Sequence, residues 1–328
     1  MIEKLYGEII ETVIDNENEK ILNIENDSGS GKIVVYKLFE GIKLLYNNLN
    51  LEYCSGSSIK FPNIIEINHC KYGRYECELK KNKFEYISEG DLGIYLLDNK
   101  KYSKAFFPNR QYCGISILID IDKIKNFDLF KSFGVDIISI YEKVKKNDLC
   151  KIIRANEQLD HIFYEVYTSN EENKFYYMRI KIIELLLFLG EIDYSIKKNK
   201  KYLTKYQVQK TKDIKEFIIS DITKHYKIEE LAQLFNLSQT TIKNWFKEVY
   251  GIGIYTYLKN YRLQESVRYL KESDYSILEI SNIIGYSNPS KFSSAFKQEY
   301  GYSPKEFKKH IQMDKLCPLR VDNDYQMD

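Results

Sequence analysis

A chain of 328 residues with 44% hydrophobic and 29% charged side chains is long enough to bury two separate cores and has the balance of a soluble globular protein. Its densest apolar run, IIELLLFLG at 182–190, is far short of the roughly 18 residues a membrane span needs. The net charge of +2 hides an asymmetry: residues 1–200 hold 29 Lys/Arg against 31 Asp/Glu, residues 201–310 hold 18 against 12, and residues 311–328 hold 2 against 4, so any polyanion would meet the second segment.

In chain order, the opening MIEKLYGEIIETV carries acids where a secretory signal stays apolar, and a cytoplasmic protein is expected. From about 32 to 119 the runs IVVYKL, GIKLLYN, NIIEINHC, RYECELK, FEYIS, LGIYLLD and YCGISILID read as strands, separated by DSGSGK, SGSS and SEGD. They predict a compact antiparallel, cupin-like β unit. In EGDL at 89–92, Gly90 suits the tight position of a turn and Asp91 a bond to the backbone. From 121 the period turns helical: IDKIKNF, a helix near 154–168, and a stronger one near 172–192. In the last, Tyr177, Ile180, Ile183, Leu186, Leu187 and Leu189 make a wide apolar face. SIKKNKKYLTK at 195–205 reads as a linker. The expected fold class is α+β: a β-rich domain with helices at 1–200, an all-α domain at 201–310 and a tail at 311–328.

The all-α domain contains a repeat. IEELAQLFNLSQTTIKNWFKEVYG and SILEISNIIGYSNPSKFSSAFKQEYG each read as helix, turn, helix. Ala232 aligns with Ser281 and Asn236 with Gly285 at a spacing of 49, whereas Phe246 aligns with Phe296 at 50, so the second turn is one residue longer. Ser276 with Glu279, and Ser303 with Glu306, predict capping boxes; Pro289 and Pro304 suit first helical positions, and Gly251 and Gly301 suit left-handed helix ends. The helix at 254–273 joins the two units, with Leu263, Val267 and Leu270 on one side. At 100° per residue, Ile242, Trp245, Phe246 and Val249 fall on the core side of the first recognition helix. Thr240, Lys243, Asn244 and Lys247 fall opposite, as do Ser290, Ser293, Ser294 and Lys297 in the second unit. Such faces can read base edges or phosphates of double-stranded DNA from the major groove.

Over roughly 208–310 these residues resemble the AraC/XylS-type transcription regulators. The resemblance rests on Ala232, Ser238, FKEVYG, Tyr261–Arg262–Leu263, ILEI, GYSNPSKF, FKQEYG and SPKEF. It implies two units in successive major grooves, base contacts from Thr240, Lys243 and Asn244 and from Ser290, Lys291 and Ser294, an activating role and RNA polymerase as a partner. Lys247 and Lys297, one turn further along, suit phosphate. The sequence departs from the family at Asn244 and Lys309, where arginine is frequent, and at Ser281, where alanine is usual. EINHCKYGRYECE at 66–78, with EGDL, more loosely resembles the branch typified by the pyochelin regulator. That implies a small-molecule effector of the siderophore class, for which Tyr75, Phe84, Tyr86 and Tyr95 are the candidate lining residues.

Other chemistry finds little support. Six cysteines lack a CxxC pair and are expected as free thiols. His69, Cys70 and Cys77 do not match a zinc pattern, so neither a metal nor a cofactor is expected. No phosphate loop, GxSxG elbow, HExxH or Pro-Cys-His setting suggests an enzyme. A structural protein with degenerate recognition helices is the alternative. The apolar face at 172–192 predicts a homodimer.

Overall fold

The computed structural model describes residues 9–16, 18–55, 61–80, 82–97, 104–125, 128–146, 150–169, 172–194 and 202–313. The chain forms two compact units, Met1–Lys205 and Tyr206–Asp328.

The first unit is built on two antiparallel sheets. The larger has eight strands: β1 (Ile9–Asp15), β2 (Glu19–Asn26), β3 (Gly29–Phe39), β4 (Ile42–Asn50), β6 (Ile64–Gly73), β9 (Leu92–Leu96), β11 (Gln111–Asp120) and β12 (Cys150–Ile153), in the order β1-β2-β3-β4-β11-β6-β9-β12. The smaller runs β13-β8-β7-β10-β5, from β5 (Tyr53–Ser55), β7 (Tyr75–Lys80), β8 (Lys83–Ile87), β10 (Lys104–Phe106) and β13 (Leu203–Thr204). The central strands bury both faces, so they read as near-continuous apolar runs. On β6, Ile65 and Ile67 enter one core, with the helices, while Ile64 and Cys70 enter the other, with Tyr75, Cys77, Tyr95, Phe107 and Tyr112. The helices are α1 (Ile121–Ile124), α2 (Leu129–Ser132), α3 (Ile137–Lys146), α4 (Glu157–Thr168) and α5 (Lys174–Glu191).

The EGDL turn ties sheet to helix. Gly90 is left-handed, and Asp91 accepts from Ser88 N and Ala155 N at 2.9 and 3.0 Å. Arg154 then bridges the buried Asp91 and Glu85 carboxylates, at 2.6 Å each.

Two sequence expectations for this unit are corrected. Leu203 and Thr204, read as linker, pair with Phe84 and Lys83 of β8, because an alternating Tyr-Leu-Thr segment can extend an open sheet edge; 195–201 lie outside the described residues, as does the tail at 314–328. The apolar face of 172–192 is divided: Met178, Ile182, Leu185, Leu186 and Leu189 are buried, whereas Tyr176, Tyr177, Ile180 and Leu187 are exposed. A helix apolar on both sides can press only one against the sheet.

The second unit is helical: α6 (Lys205–Ser220), α7 (Ile228–Phe235), α8 (Gln239–Tyr250), α9 (Ile254–Glu272), α10 (Ile277–Ile283), α11 (Pro289–Tyr300) and α12 (Pro304–Met313). Both sequence-read capping boxes form. Glu279 accepts from Ser276 N at 2.8 Å while Ser276 Oγ accepts from Glu279 N at 3.2 Å, and Glu306 with Ser303 gives 2.8 and 3.3 Å. These satisfy helix-end amides that would otherwise have no intrahelical acceptor.

Candidate nucleic-acid interface

The two helix-turn-helix units, α7–α8 and α10–α11, are built alike. Asn236 and Gly285, spaced by 49, are both left-handed, at φ 53° and 82°. The N-caps, Ser238 and Asn288, are spaced by 50, so the second turn holds Tyr286 and Ser287 where the first holds Leu237 alone. Ser238 Oγ accepts from Thr241 N at 3.1 Å, and Asn288 Oδ1 from Ser290 N and Lys291 N at 2.9 and 3.3 Å. Each recognition helix is 12 residues long and ends on a left-handed glycine, whose N–H bonds the carbonyl of Lys247 or Lys297. Ser281 is fully buried, and its hydroxyl donates to Tyr286 O at 3.2 Å, inside the longer turn.

The inward faces are Ile242, Phe246, Val249 and Tyr250 on α8, and Phe292 and Phe296 on α11. Trp245 is a correction: expected in the core, it is half-buried, with its ring edge-to-face on Tyr206 at 6.3 Å. Tyr206 is itself 60% exposed, so this neighbour only partly covers the indole. Thr240, Lys243, Asn244 and Lys247 are all exposed along α8, and Ser290, Lys291, Ser294 and Lys297 along α11. Ser293 is half-buried. Gln239, at the first turn of α8 just after the N-cap Ser238, is exposed as well.

The four aromatic residues read as effector-lining do not share one face. Tyr75 pairs opposite Ile87, and Tyr86 opposite Glu76, so alternation places them on opposite faces of the β7–β8 hairpin. Tyr75 and Tyr95 lie in the core between the sheets, where the Tyr95 hydroxyl is 2.7 Å from Cys77 Sγ. Phe84 and Tyr86 share the other face, and the Tyr86 hydroxyl donates to Glu76 Oε2 at 2.8 Å. His69 and Cys70 also diverge. His69 stacks on Phe163 of α4 at 3.7 Å, while Cys70 faces the inter-sheet core with Cys77. Among the described residues, no three or more His, Cys, Asp or Glu side chains converge as a metal-ligand set, and no helix is long and apolar enough to cross a membrane.

Comparison with known proteins adds to this geometry. Residues 231–310 match the family model described as a helix-turn-helix domain. The Msm operon regulatory protein of Streptococcus mutans is 33% identical over 99 residues, 30% of this chain and 36% of that protein. A Streptomyces lividans protein bearing the name of an AraC-like transcription regulator is 30% identical over 93 residues, 28% of this chain and 31% of its own. The transcriptional activator FapR of Escherichia coli is 24% identical over 100 residues, 30% of this chain and 38% of its own. The chain thus covers about a third of the length of these relatives. Among solved structures, an apo form of ToxT from Vibrio cholerae is similar over 83% of this chain and 98% of its own, at 12% identity and a TM-score of 0.32. The segment is therefore a helix-turn-helix domain of the kind carried by AraC-like regulators, preceded by an antiparallel β unit.

Proposed function

We propose that the chain is a sequence-specific, DNA-binding transcription regulator acting in the cytoplasm, an activator that engages RNA polymerase and answers to a small-molecule effector. The observation that carries this reading is the pair of 12-residue helices, each with a side-chain N-cap and a left-handed glycine C-cap, and each showing an exposed Thr/Lys/Asn or Ser/Lys face. A major groove admits one such helix, and two in tandem match successive grooves of double-stranded DNA. The activators and regulators that share this segment support it. The role is regulatory and not enzymatic.

Division of labour between the helices follows from side-chain chemistry. Lys243 can donate to guanine and Asn244 can bond adenine bidentately, whereas the serines of α11 discriminate bases poorly. Asn244→Ala is expected to lower affinity for the cognate site by ~1–3 kcal/mol and to relax choice at one base pair. Lys297→Ala should weaken all sequences alike and lower the salt slope by about one. Binding to a randomised operator library at several salt concentrations measures both. Unchanged base preference in Lys243 and Asn244 variants would move the readout to Lys291 and Ser294. Repeating the assay with iron–siderophore complexes tests the effector. Identical binding with and without them removes that ligand class.

A second copy of the chain is the proposed cover for the outer face of α5. Tyr176, Ile180, half-buried Ile183 and Leu187 recur at steps of four, three and four, the seam of a two-stranded coiled coil, and Tyr176 and Ile180 are 62% and 59% exposed. Sedimentation of the full chain at tens of micromolar should give a dimer. Ile180→Glu should raise the dissociation constant about a hundredfold, since it replaces a buried apolar contact with a desolvated charge. A monomeric parent chain would contradict this assignment.

A further inference from the structure

The joining helix α9 is one connection between the two helix-turn-helix units. A second lies in the loop between α6 and α7, Asp221–Lys227, which leads directly into the first unit. Ile222 of this loop packs against the second unit's core, which is formed by Leu263, Leu270, Ile280, Ile284, Phe292, Phe296 and Phe307. Arg262, midway along α9, holds the loop in place: Nε donates to Ile222 O at 2.6 Å and Nη2 to Lys224 O at 3.1 Å. The loop is braced internally as well. Asp221 Oδ1 accepts from Thr223 N and Oγ1 at 3.1 and 2.6 Å, and the Tyr226 ring lies 5.4 Å from Phe217 of α6. It then enters α7 through Glu230, which accepts from Lys227 N at 3.1 Å.

Gly285 closes the contact from the other side. Its left-handed backbone does not by itself demand glycine, because Asn236 takes the same conformation at the matching position of the first unit. Space does. A Cβ at 285 would stand 2.6 Å from Thr223 Cα, 2.7 Å from Ile222 O and 3.2 Å from Arg262 Nη2. Two of these three atoms belong to backbone, so any side chain there would push the turn and the loop apart.

We infer that Arg262 and Gly285 are positioning residues that lock the separation of the two recognition helices, so that the two DNA segments they contact must lie at one fixed spacing. This rests on the DNA-binding reading above. One inserted base pair turns the second segment by about 35° and moves it by ~3.4 Å. A locked pair of helices cannot follow that change.

The test compares the full-length parent, Gly285→Ala and Arg262→Lys, which keeps the charge but loses the two-pronged geometry. Operators carry the natural spacing, or one base pair more or fewer between the two protected segments. The parent should lose about tenfold or more in affinity for a one-base-pair change, and the variants less than about threefold, while binding the natural spacing more weakly. Equal weakening at every spacing, or no change at all, would overturn the inference. A second readout needs no DNA: spin labels on non-canonical residues at the exposed positions 248 and 298 of α8 and α11 should give one narrow distance in the parent and a broadened one in the variants. An unchanged distribution in folded Arg262→Lys overturns the lock even if Gly285→Ala fails to fold. A parent that protects no DNA sinks the DNA-binding reading, while the label distances still decide the lock.

Discussion

Phe296→Ala is expected to destabilise the second helix-turn-helix unit by about 3–5 kcal/mol, the usual loss when a buried phenylalanine is truncated and its cavity only partly closes. Phe296 is fully buried, with the Phe307 and Phe292 rings edge-to-face at 5.2 and 5.7 Å and Tyr300 tilted at 4.6 Å. It therefore links α11 to α12 as well as to its own turn. On DNA the variant should lose protection of the second segment while keeping weak protection of the first. Denaturant unfolding, with footprinting alongside, checks this. A loss under ~1 kcal/mol would mean that the site collapses around the smaller side chain.

His69 gives the first unit a steep dependence on acid. The ring is 4% exposed, stacked on Phe163, with Nδ1 3.1 Å from the Tyr167 hydroxyl; Nε2 is buried without a hydrogen-bond partner among the described residues. Burial lowers its pKa from 6.5 to about 3. The nearby cation, Lys71, lies over the Tyr167 ring at 5.0 Å, and the Tyr167 hydroxyl is pushed up by burial, so neither supplies a negative charge for an imidazolium. Below pH 6.5 the unfolded chain takes up a proton that the folded one refuses. Stability should fall by up to ~1.4 kcal/mol per pH unit between 6.5 and about 3, or ~2 kcal/mol at pH 5. His69→Phe keeps a ring against Phe163 and should remove that part of the slope. Circular dichroism in urea from pH 8 to 5 follows it, while emission from the single tryptophan, Trp245, reports the second unit separately. A parallel slope in parent and variant, or a His69 ring that titrates near 6.5, would show that the site admits water.

The parts legible in the sequence are those fixed by local chemistry. The capping boxes at Ser276 and Ser303, the left-handed ends at Gly251 and Gly301 and the one-residue difference between the turns depend on residues within a few positions of each other. The strands β3, β4, β6 to β9 and β11 also stood out. β1 did not, because it is an edge strand with Val13 and Ile14 53% and 40% exposed, which leaves little apolar contrast to read. Trp245 and the inner and outer faces of α5 needed tertiary neighbours. Neither Tyr206 beside the indole nor the sheet beneath Met178 and Ile182 is visible from periodicity. Gly285 is the clearest case: as a turn residue it matches Asn236, and only the approach of Thr223, 62 positions earlier, separates the two.

Hydroxyl-radical footprinting of the full-length protein, on the tightest fragment selected from its own genome and at physiological salt, bears directly on the DNA-binding reading. Two protected segments should appear on one face of the duplex, about one helical turn of 10–10.5 base pairs apart, with the first lost in a Lys243→Ala, Asn244→Ala double variant. Uniform protection that follows salt alone, with no preferred fragment and no change in the double variant, would contradict sequence-specific binding.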